Sequence, residues 1–108
     1  AAVILGGPHP TTLPEESAAK PGVDVVVRSE GEVTWLELLS ALEQHYAQDP
    51  ASSPPIKAVL QPIAGITYTD EHGATVSTPD RPPIPAEELN NMPFPAWHLF
   101  SLDLYTNL

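Results

Sequence analysis

The chain has no cysteine and very few basic residues. Of its 108 residues, 4 are Lys or Arg and 14 are Asp or Glu, which gives a formal net charge of −10. Without cysteine, the chain itself can form no disulfide, no thiolate metal site and no cysteine nucleophile. Without a surplus of Lys and Arg it has little with which to neutralise phosphates, which argues against nucleic acid and anionic membranes as partners.

Long apolar runs are also missing. The longest, Ala1 to Leu5, is far shorter than the ~20 residues that a membrane span needs. No basic segment precedes it, as one would in a signal peptide. The chain has no initiator Met and opens on an apolar run typical of a buried strand. We therefore expect a piece of a longer protein, without a membrane as partner.

Proline, in contrast, is abundant and unevenly placed. The chain has 14 prolines in 108 residues, of which ten follow residue 48. The usual share of proline is only about 5%. The composition thus divides the chain into residues 1–48, with regular patterns, and residues 49–108, a proline-rich part.

Residues 1–48 alternate between strand and helix patterns. The segments 2–5 and 23–27 are short apolar runs, typical of strands buried on both faces of a parallel sheet. Between them, Thr12 fits a helix N-cap with Glu15 three residues later, and residues 20–22 would end that helix. A helix from about 32 to 47 is predicted by apolar residues at helical spacing: Trp35, Leu38, Leu39, Leu42 and Tyr46. This order predicts an α/β layer with parallel strands.

Residues 49–108 read as a connector. The segment 49–55 is a polar linker. Two alternating segments, 65–69 and 74–78, predict a β-hairpin, and Gly73 in the loop between them suits a positive φ. The segment 91–97 combines prolines with large apolar side chains, as a docking segment would.

Two loops that follow the predicted strands are candidates for a binding site. The first contains Gly6, Gly7 and Pro8, and the second contains Ser29, Glu30 and Gly31. The carboxyl ends of parallel strands are where α/β proteins bind ligands, and glycines allow a ligand to approach the backbone.

Each of these loops also has a structural interpretation. The glycines fit a tight turn that needs a positive φ. Glu30 and Glu32 fit the N-terminus of the next helix, where carboxylates interact favourably with the helix dipole. Residue chemistry alone favours these structural interpretations over ligand binding.

Other chemistries find little support in the pattern. The four histidines, at 9, 45, 72 and 98, lack metal-ligand spacing, and no Ser-His-Asp order or phosphate loop is present. The missing G-x-G-x-x-G fingerprint argues against a generic nucleotide-binding domain. Trp35 and Tyr68 are interpreted as packing residues. We predict no catalytic and no metal-ligating residue in this chain.

Taken together, the motifs resemble the cobalamin (vitamin B12)-binding radical SAM family. Its members include the anaerobic magnesium-protoporphyrin ester oxidative cyclase and many methyltransferases. The segments that carry the resemblance are 3–10, 13–16, 22–28, 30–32, 63–68, 81–84 and 89–97. The order and spacing of these segments are more specific than any one of them.

The resemblance implies a fold and a site. The fold would be a partial flavodoxin-like (Rossmann-like) parallel sheet, followed by a β-hairpin and a proline-rich connector. Residues 1–48 would be the C-terminal half of a cobalamin-binding domain, and residues 49–108 would lead into a radical SAM domain. The loops 6–8 and 29–31 would bind cobalamin, with Gly6 and Gly7 beside its nucleotide tail. Ser29 stands where many members have glycine.

The resemblance also implies the chemistry of the whole protein. It would use S-adenosylmethionine, a [4Fe–4S] cluster and cobalamin for methyl transfer or oxidative cyclisation. The cobalt-ligating His segment would precede residue 1 and the three cluster cysteines would follow residue 108, so this chain alone would lack the catalytic residues. Oxygen-sensitive chemistry of this kind implies a cytoplasmic enzyme.

The expected partners are cobalamin and the remainder of the parent chain. We also expect the isolated chain either to self-associate or to be only marginally ordered after about residue 80, since a layer of two parallel strands leaves an apolar edge and a bare sheet face exposed. The alternative function is a non-catalytic interaction module, which would dock through Phe94 and Trp97 in the proline-rich C-terminal segment.

Overall fold

The computed structural model describes residues 2–49, 51, 53–101 and 104. Its four strands are β1 (Ile4–Leu5), β2 (Val25–Val27), β3 (Ile66–Thr69) and β4 (Thr75–Ser77). Its helices are α1 (Pro8–Thr12), α2 (Pro14–Ala18), α3 (Glu32–Tyr46), α4 (Ile56–Leu60), α5 (Ala86–Asn91) and a short 3₁₀ helix (Trp97–Leu99).

The strands form one sheet in the order β1-β2-β3-β4. β1 and β2 are parallel, with Leu5 opposite Val26. β3 runs antiparallel to β2, with Ile66 opposite Val27, and β4 runs antiparallel to β3. The predicted α/β class, the parallel pair and the hairpin are confirmed, and the arrangement is compatible with part of a flavodoxin-like fold.

The hairpin belongs to the same sheet as the parallel pair. β3 pairs along the whole of β2, whose residues Val25 to Val27 are all buried. The expectation of a bare apolar edge beside β2 is therefore wrong, because the hairpin supplies the missing backbone hydrogen bonds there. Self-association stays a prediction, and β1 is the edge strand to which it now applies.

The core lies between the sheet and helices α3 and α4. Its buried members are Val25, Val27, Leu38, Leu42, Leu60, Ile63, Ile66 and Tyr68. The packing role predicted for Tyr68 is confirmed. On α3, Leu38 and Leu42 are buried, whereas Leu39 is 50% and Tyr46 66% exposed. The buried face of α3 is therefore narrower than its apolar pattern predicted.

The first helical segment differs from its prediction. It consists of two short helices, and Thr12 ends α1 instead of capping a helix. The Thr12 hydroxyl donates to the carbonyl of Pro8 at 2.9 Å, and Leu13 occupies the N-cap of α2. Pro8 and Pro14 each start a helix, because proline is pre-organised for the first helical turn and cannot continue a helix that precedes it.

Two helices lie where the sequence pattern predicts no regular structure. α4 follows Pro55 directly and brings Leu60 into the core. α5 follows Pro85 and carries Glu87 and Glu88 in its first turn. Both are shorter than isolated helices that are stable in water. α4 is held by Leu60 in the core, whereas α5 has no buried residue and follows the proline at its N-cap. In the described residues, no helix combines the length and apolarity that crossing a bilayer would require.

The hairpin loop is organised by Asp70. Its carboxylate accepts hydrogen bonds from the backbone N–H groups of Ala74 at 2.9 Å and His72 at 2.8 Å, and Gly73 adopts the predicted positive φ of 79°. The hydrogen bond from Ala74 is the largest cause that lowers the pKa of Asp70, with further contributions from His72 and the ammonium of Lys57, against the opposing effect of desolvation.

Acidification should therefore weaken this hairpin. Since folding lowers the pKa of Asp70 from its ordinary value of 3.8, its stabilising effect is complete above that value and is lost as the pH falls through the lowered pKa. We expect Asp70→Asn to lower Tm at neutral pH and to flatten the dependence of Tm on pH below about 4. Thermal melts between pH 2 and 7 test this, with the exposed Glu43→Gln on α3 as control. The same dependence of Tm on pH in Asp70→Asn and in the wild type would contradict this prediction.

Candidate ligand-binding site

The carboxyl ends of β1 and β2 bring the two candidate loops together. Gly6 and Gly7 directly follow β1, and Ser29 and Gly31 follow β2. One open cleft of about 450 Å³ joins them, lined by Gly6, Gly7, Val27, Ser29, Gly31, Glu32 and Trp35. The juxtaposition follows from the parallel pairing, because parallel strands end at the same edge of a sheet.

The other two predicted site residues lie beside this cleft, not in its lining. Pro8 is exposed and begins α1. The Glu30 carboxylate accepts a hydrogen bond from the backbone N–H of Ile84 at 2.7 Å. Glu30 and Ser29 line a second cleft of about 370 Å³, together with Arg81, Pro82 and Pro83. The structure thus brings four of the six predicted residues into one cleft, and their binding of a cofactor stays a prediction.

Glu30 directly precedes the N-cap of helix α3 and makes no capping hydrogen bond to it. Helix α3 has Gly31 at its N-cap, and no side chain makes a capping hydrogen bond there. The Glu30 carboxylate is instead held by Ile84, a residue far along the chain that the local pattern could not reveal. Glu32 does lie in the first turn of α3, where its charge interacts favourably with the helix dipole.

Gly7 is required by its own backbone. It has φ 107° and ψ −174°, a combination that is open only to glycine. A Cβ atom there would meet no atom within 4 Å, so conformation and not crowding requires glycine. The interpretation of the glycine pair as a tight turn is therefore confirmed for Gly7.

Gly6 is required by neither conformation nor packing. Its φ is not positive, and a Cβ atom there would lie 3.7 Å from Trp35 Nε1 and 3.8 Å from the carbonyl oxygen of Val27. These are ordinary van der Waals distances, so the fold would accept a side chain. Because the residue is glycine, a strip of backbone stays exposed along the cleft.

Gly31 is glycine because of Trp35. A Cβ atom at Gly31 would lie 2.9 Å from Trp35 Cδ1 and 3.4 Å from Val27 Cγ1, which is too close for the ring to stay in place. Trp35 packs against the core and lines the cleft, a role that the sequence analysis missed. Its position one helical turn after Gly31 was the signal, because residues four apart lie on the same side of a helix.

Ser29 adopts a left-handed conformation, with φ 59°. Glycine takes this conformation without steric cost, whereas a residue with a side chain adopts it only at a cost. The Ser29 N–H donates to the Thr11 hydroxyl at 3.0 Å, so the loop is tied to α1 across the cleft edge.

The segment after the hairpin holds the second loop from the other side. The Arg28 guanidinium contacts the Asp80 carboxylate at 2.9 Å and donates to the Thr78 carbonyl. Arg81 Nε donates to the buried Thr34 hydroxyl at 2.8 Å, and its Nη2 pairs with Glu37. The two arginines therefore bind the proline-rich segment to the loop and to α3.

The cleft is suited to binding more than to catalysis. Its lining offers bare backbone, the Ser29 hydroxyl, the Glu32 carboxylate and the Trp35 indole. Among the described lining residues, Glu32 alone carries a charge, so the cleft disfavours a negatively charged group. Throughout the part of the chain that the structure describes, no three His, Cys, Asp or Glu side chains are grouped to hold a metal ion.

Comparison with known proteins shows relatives among methyltransferases and a cyclase. The chain is 35% identical over 104 residues to an uncharacterized methyltransferase of Pyrococcus horikoshii. It is 26% identical over 123 residues to the cytidylyl-2-hydroxyethylphosphonate methyltransferase of Streptomyces wedmorensis. It is 32% identical over 103 residues to the anaerobic magnesium-protoporphyrin IX monomethyl ester cyclase of Rubrivivax gelatinosus.

These similarities cover nearly all of this chain but a small part of each relative. They include 95%, 97% and 94% of the chain, yet only 19%, 21% and 16% of the respective relatives. No family model and no solved structure matches the chain. The relationship to methyltransferases and to the cyclase, which the motifs indicated, is confirmed, whereas the assignment to a cobalamin-binding domain stays a prediction.

The two adjacent glycines should respond differently to alanine. We expect Gly7→Ala to lower the free energy of unfolding by about 1–3 kcal/mol, because its conformation excludes a side chain. Gly6→Ala should change it by less than about 0.5 kcal/mol, because the added methyl group meets only ordinary contacts. Urea unfolding of both variants measures the difference. Equal losses would show that Gly6 has a structural requirement that its geometry does not reveal.

Proposed function

We propose that this chain forms part of the cobalamin pocket of a larger B12-dependent radical SAM enzyme, which catalyses methyl transfer or oxidative cyclisation. The observation that carries the proposal is the bare backbone at Gly6, which the fold itself does not need. A bulky, relatively flat ligand such as a corrinoid could lie against this strip and reach Ser29 and Gly31 on the opposite loop.

The position of the cleft supports this proposal. It lies at the carboxyl edge of the parallel pair, where α/β sheets bind ligands. The cleft stays open to solvent, since Gly6, Gly7 and Ser29 are all exposed. Had side chains of the chain itself covered the glycine turn, the proposal would have no site.

The relatives support the chemistry of the whole protein. Two are named methyltransferases and the third is a cyclase, and each is several times longer than this chain. The proposed contribution of this chain is therefore to bind and orient a cofactor. Bound cobalamin would supply a methyl carrier or an electron-transfer partner, and S-adenosylmethionine and the [4Fe–4S] cluster would be held by other parts of the parent protein.

The test is corrinoid binding by the parent protein. We expect hydroxocobalamin to co-elute with it on gel filtration and to change its absorption spectrum on binding. Gly6→Val should raise Kd at least about tenfold, because the side chain fills the ligand's contact surface. Ala58→Val, which also introduces valine but at an exposed position on α4, should leave Kd unchanged. An unretained corrinoid, or the same Kd for Gly6→Val and the wild type, would refute the proposal.

A second candidate function, docking, is favoured by the exposed apolar side chains near the C-terminus. Phe94 is 92%, Leu99 75% and both Trp97 and Phe100 57% exposed. Trp97 and Phe100 contact each other, with ring centroids 6.3 Å apart, but neither is buried in the core. The occupant that we propose is the remainder of the parent chain, since the relatives are several times longer.

Docking predicts that a substitution in this segment changes the stability of the parent protein but not that of the 108-residue chain. Phe94→Ser should destabilise the parent by about 2 kcal/mol, the value of a buried aromatic side chain, and leave the 108-residue chain unchanged. Leu36→Ser, at a 72% exposed position on α3, is the matched control. Calorimetry of both proteins measures the effect, and an equal response of parent and chain would rule out docking there.

A further inference from the structure

A separate cavity lies at the other end of β2 from the candidate cleft. Val27 ends β2 and lines the cleft, whereas Val25 begins β2 and lines this cavity. Its volume is about 400 Å³, which is within the range of small-molecule sites in proteins. The cleft and the cavity share no lining residue, so the function proposed for the cleft leaves the cavity unassigned.

The inner wall of the cavity is apolar. It is formed by Val25 from β2, Leu42 from α3 and Leu60 from α4, all of which are buried. Tyr46 and Ile56, which are more exposed, continue the apolar lining outward. A ligand with an apolar body would therefore bury its surface against these side chains.

Tyr68 adds a polar group to this apolar wall. The residue is only 4% exposed, and its side chain belongs to the core cluster. Its hydroxyl makes no hydrogen bond with any described residue, yet it is not among the described atoms that are buried without a partner. The hydroxyl therefore opens into the cavity that Tyr68 lines. Because buried polar groups are nearly always hydrogen-bonded, this hydroxyl requires a partner in the cavity.

The charges of the lining favour a cation. Three carboxylates and one ammonium group line the cavity, which leaves a formal excess of two negative charges: Asp24, Asp70 and Glu71 against Lys57. Lys57 Nζ lies 3.0 Å from the Glu71 carboxylate and 3.9 Å from that of Asp70, so its charge is already paired. An anionic ligand would thus meet uncompensated carboxylates, whereas an ammonium group would be attracted to them.

We propose that this cavity binds a small organic cation that has an apolar body and a hydrogen-bonding group. The apolar body packs against Leu42 and Leu60, the polar group pairs with the Tyr68 hydroxyl, and the cationic group lies among the carboxylates. This site is independent of the proposed corrinoid site, since it lies at the other end of β2 and uses different residues.

The test measures the binding of tyramine to the parent protein by isothermal titration calorimetry. Tyramine joins a phenol to an ammonium group, and we expect a Kd below about 1 mM, which is reasonable for about ten non-hydrogen atoms. Phenethylamine lacks the hydroxyl and should bind about three- to tenfold more weakly, as expected for the loss of one hydrogen bond. 3-(4-Hydroxyphenyl)propionate carries a carboxylate in place of the ammonium group and should not bind at the same concentration.

Variants of the parent protein assign the two polar interactions. Tyr68→Phe keeps the ring that packs in the core, and should raise the Kd of tyramine about three- to tenfold without changing that of phenethylamine. Asp24→Asn removes one negative charge but keeps an oxygen that can accept from the Val3 N–H, so it should raise the Kd of both amines. Trp97→Phe, outside the cavity, is the matched control and should leave both values unchanged.

Four results would overturn this inference. The first is a parent protein that does not bind tyramine, and the second is one that binds tyramine and phenethylamine with the same Kd. The third is an unchanged Kd of tyramine in Tyr68→Phe. The fourth is binding by the 108-residue chain but not by the parent, which would show that the parent fills the cavity with its own residues. None of these results depends on corrinoid binding, so they leave the proposed function unaffected.

Discussion

The parallel pairing of β1 with β2 is the constraint on which the rest of the structure depends. Because both strands run the same way, the loops that follow Leu5 and Val27 leave the sheet at one edge. The connection through α1 and α2 returns the chain to the start of β2, and α3 then covers one face of the sheet. The cleft lies between these two loops. It stays open there because no direct hydrogen bond joins the Gly6-Gly7 turn to the loop at 29–31.

The three glycines that line the cleft differ in the physical requirement that each one meets. Gly7 is needed for its backbone conformation, and Gly31 for the space that the Trp35 ring occupies. Gly6 meets neither requirement, and the bare backbone that it leaves exposed is the basis of the proposed ligand contact. The sequence alone does not distinguish these glycines, because the requirement that each meets depends on its backbone conformation and its neighbours in the fold.

The proline-rich part of the chain contributes to the site more than a connector would. β3 completes the backbone pairing of β2, and the segment after β4 carries Arg81 and Ile84 to α3 and to Glu30. The loop that lines the cleft is thus held between α1 on one side and the proline-rich segment on the other. A loop that is fixed from two sides is better pre-organised for a ligand than a free one.

The amino-acid sequence by itself determined the α/β class, the parallel pair, helix α3, the hairpin and the two loops of the site. These features depend on local periodicity, on turn residues and on the rule that parallel strands end together, all of which can be read over a few residues. It also indicated the relationship to methyltransferases and to the cyclase.

Only the tertiary structure decided which of these parts meet. The pairing of β3 with β2, the hydrogen bond from Ile84 to Glu30 and the Arg81 contacts with α3 join residues that are 39 to 54 positions apart. Local pattern carries no signal for such contacts, because they depend on which backbone groups and charges remain unpaired after the elements have packed. For the same reason, the sequence pattern predicts only a packing role for Trp35, whereas the structure brings Gly6 and Gly31 to one edge of its ring.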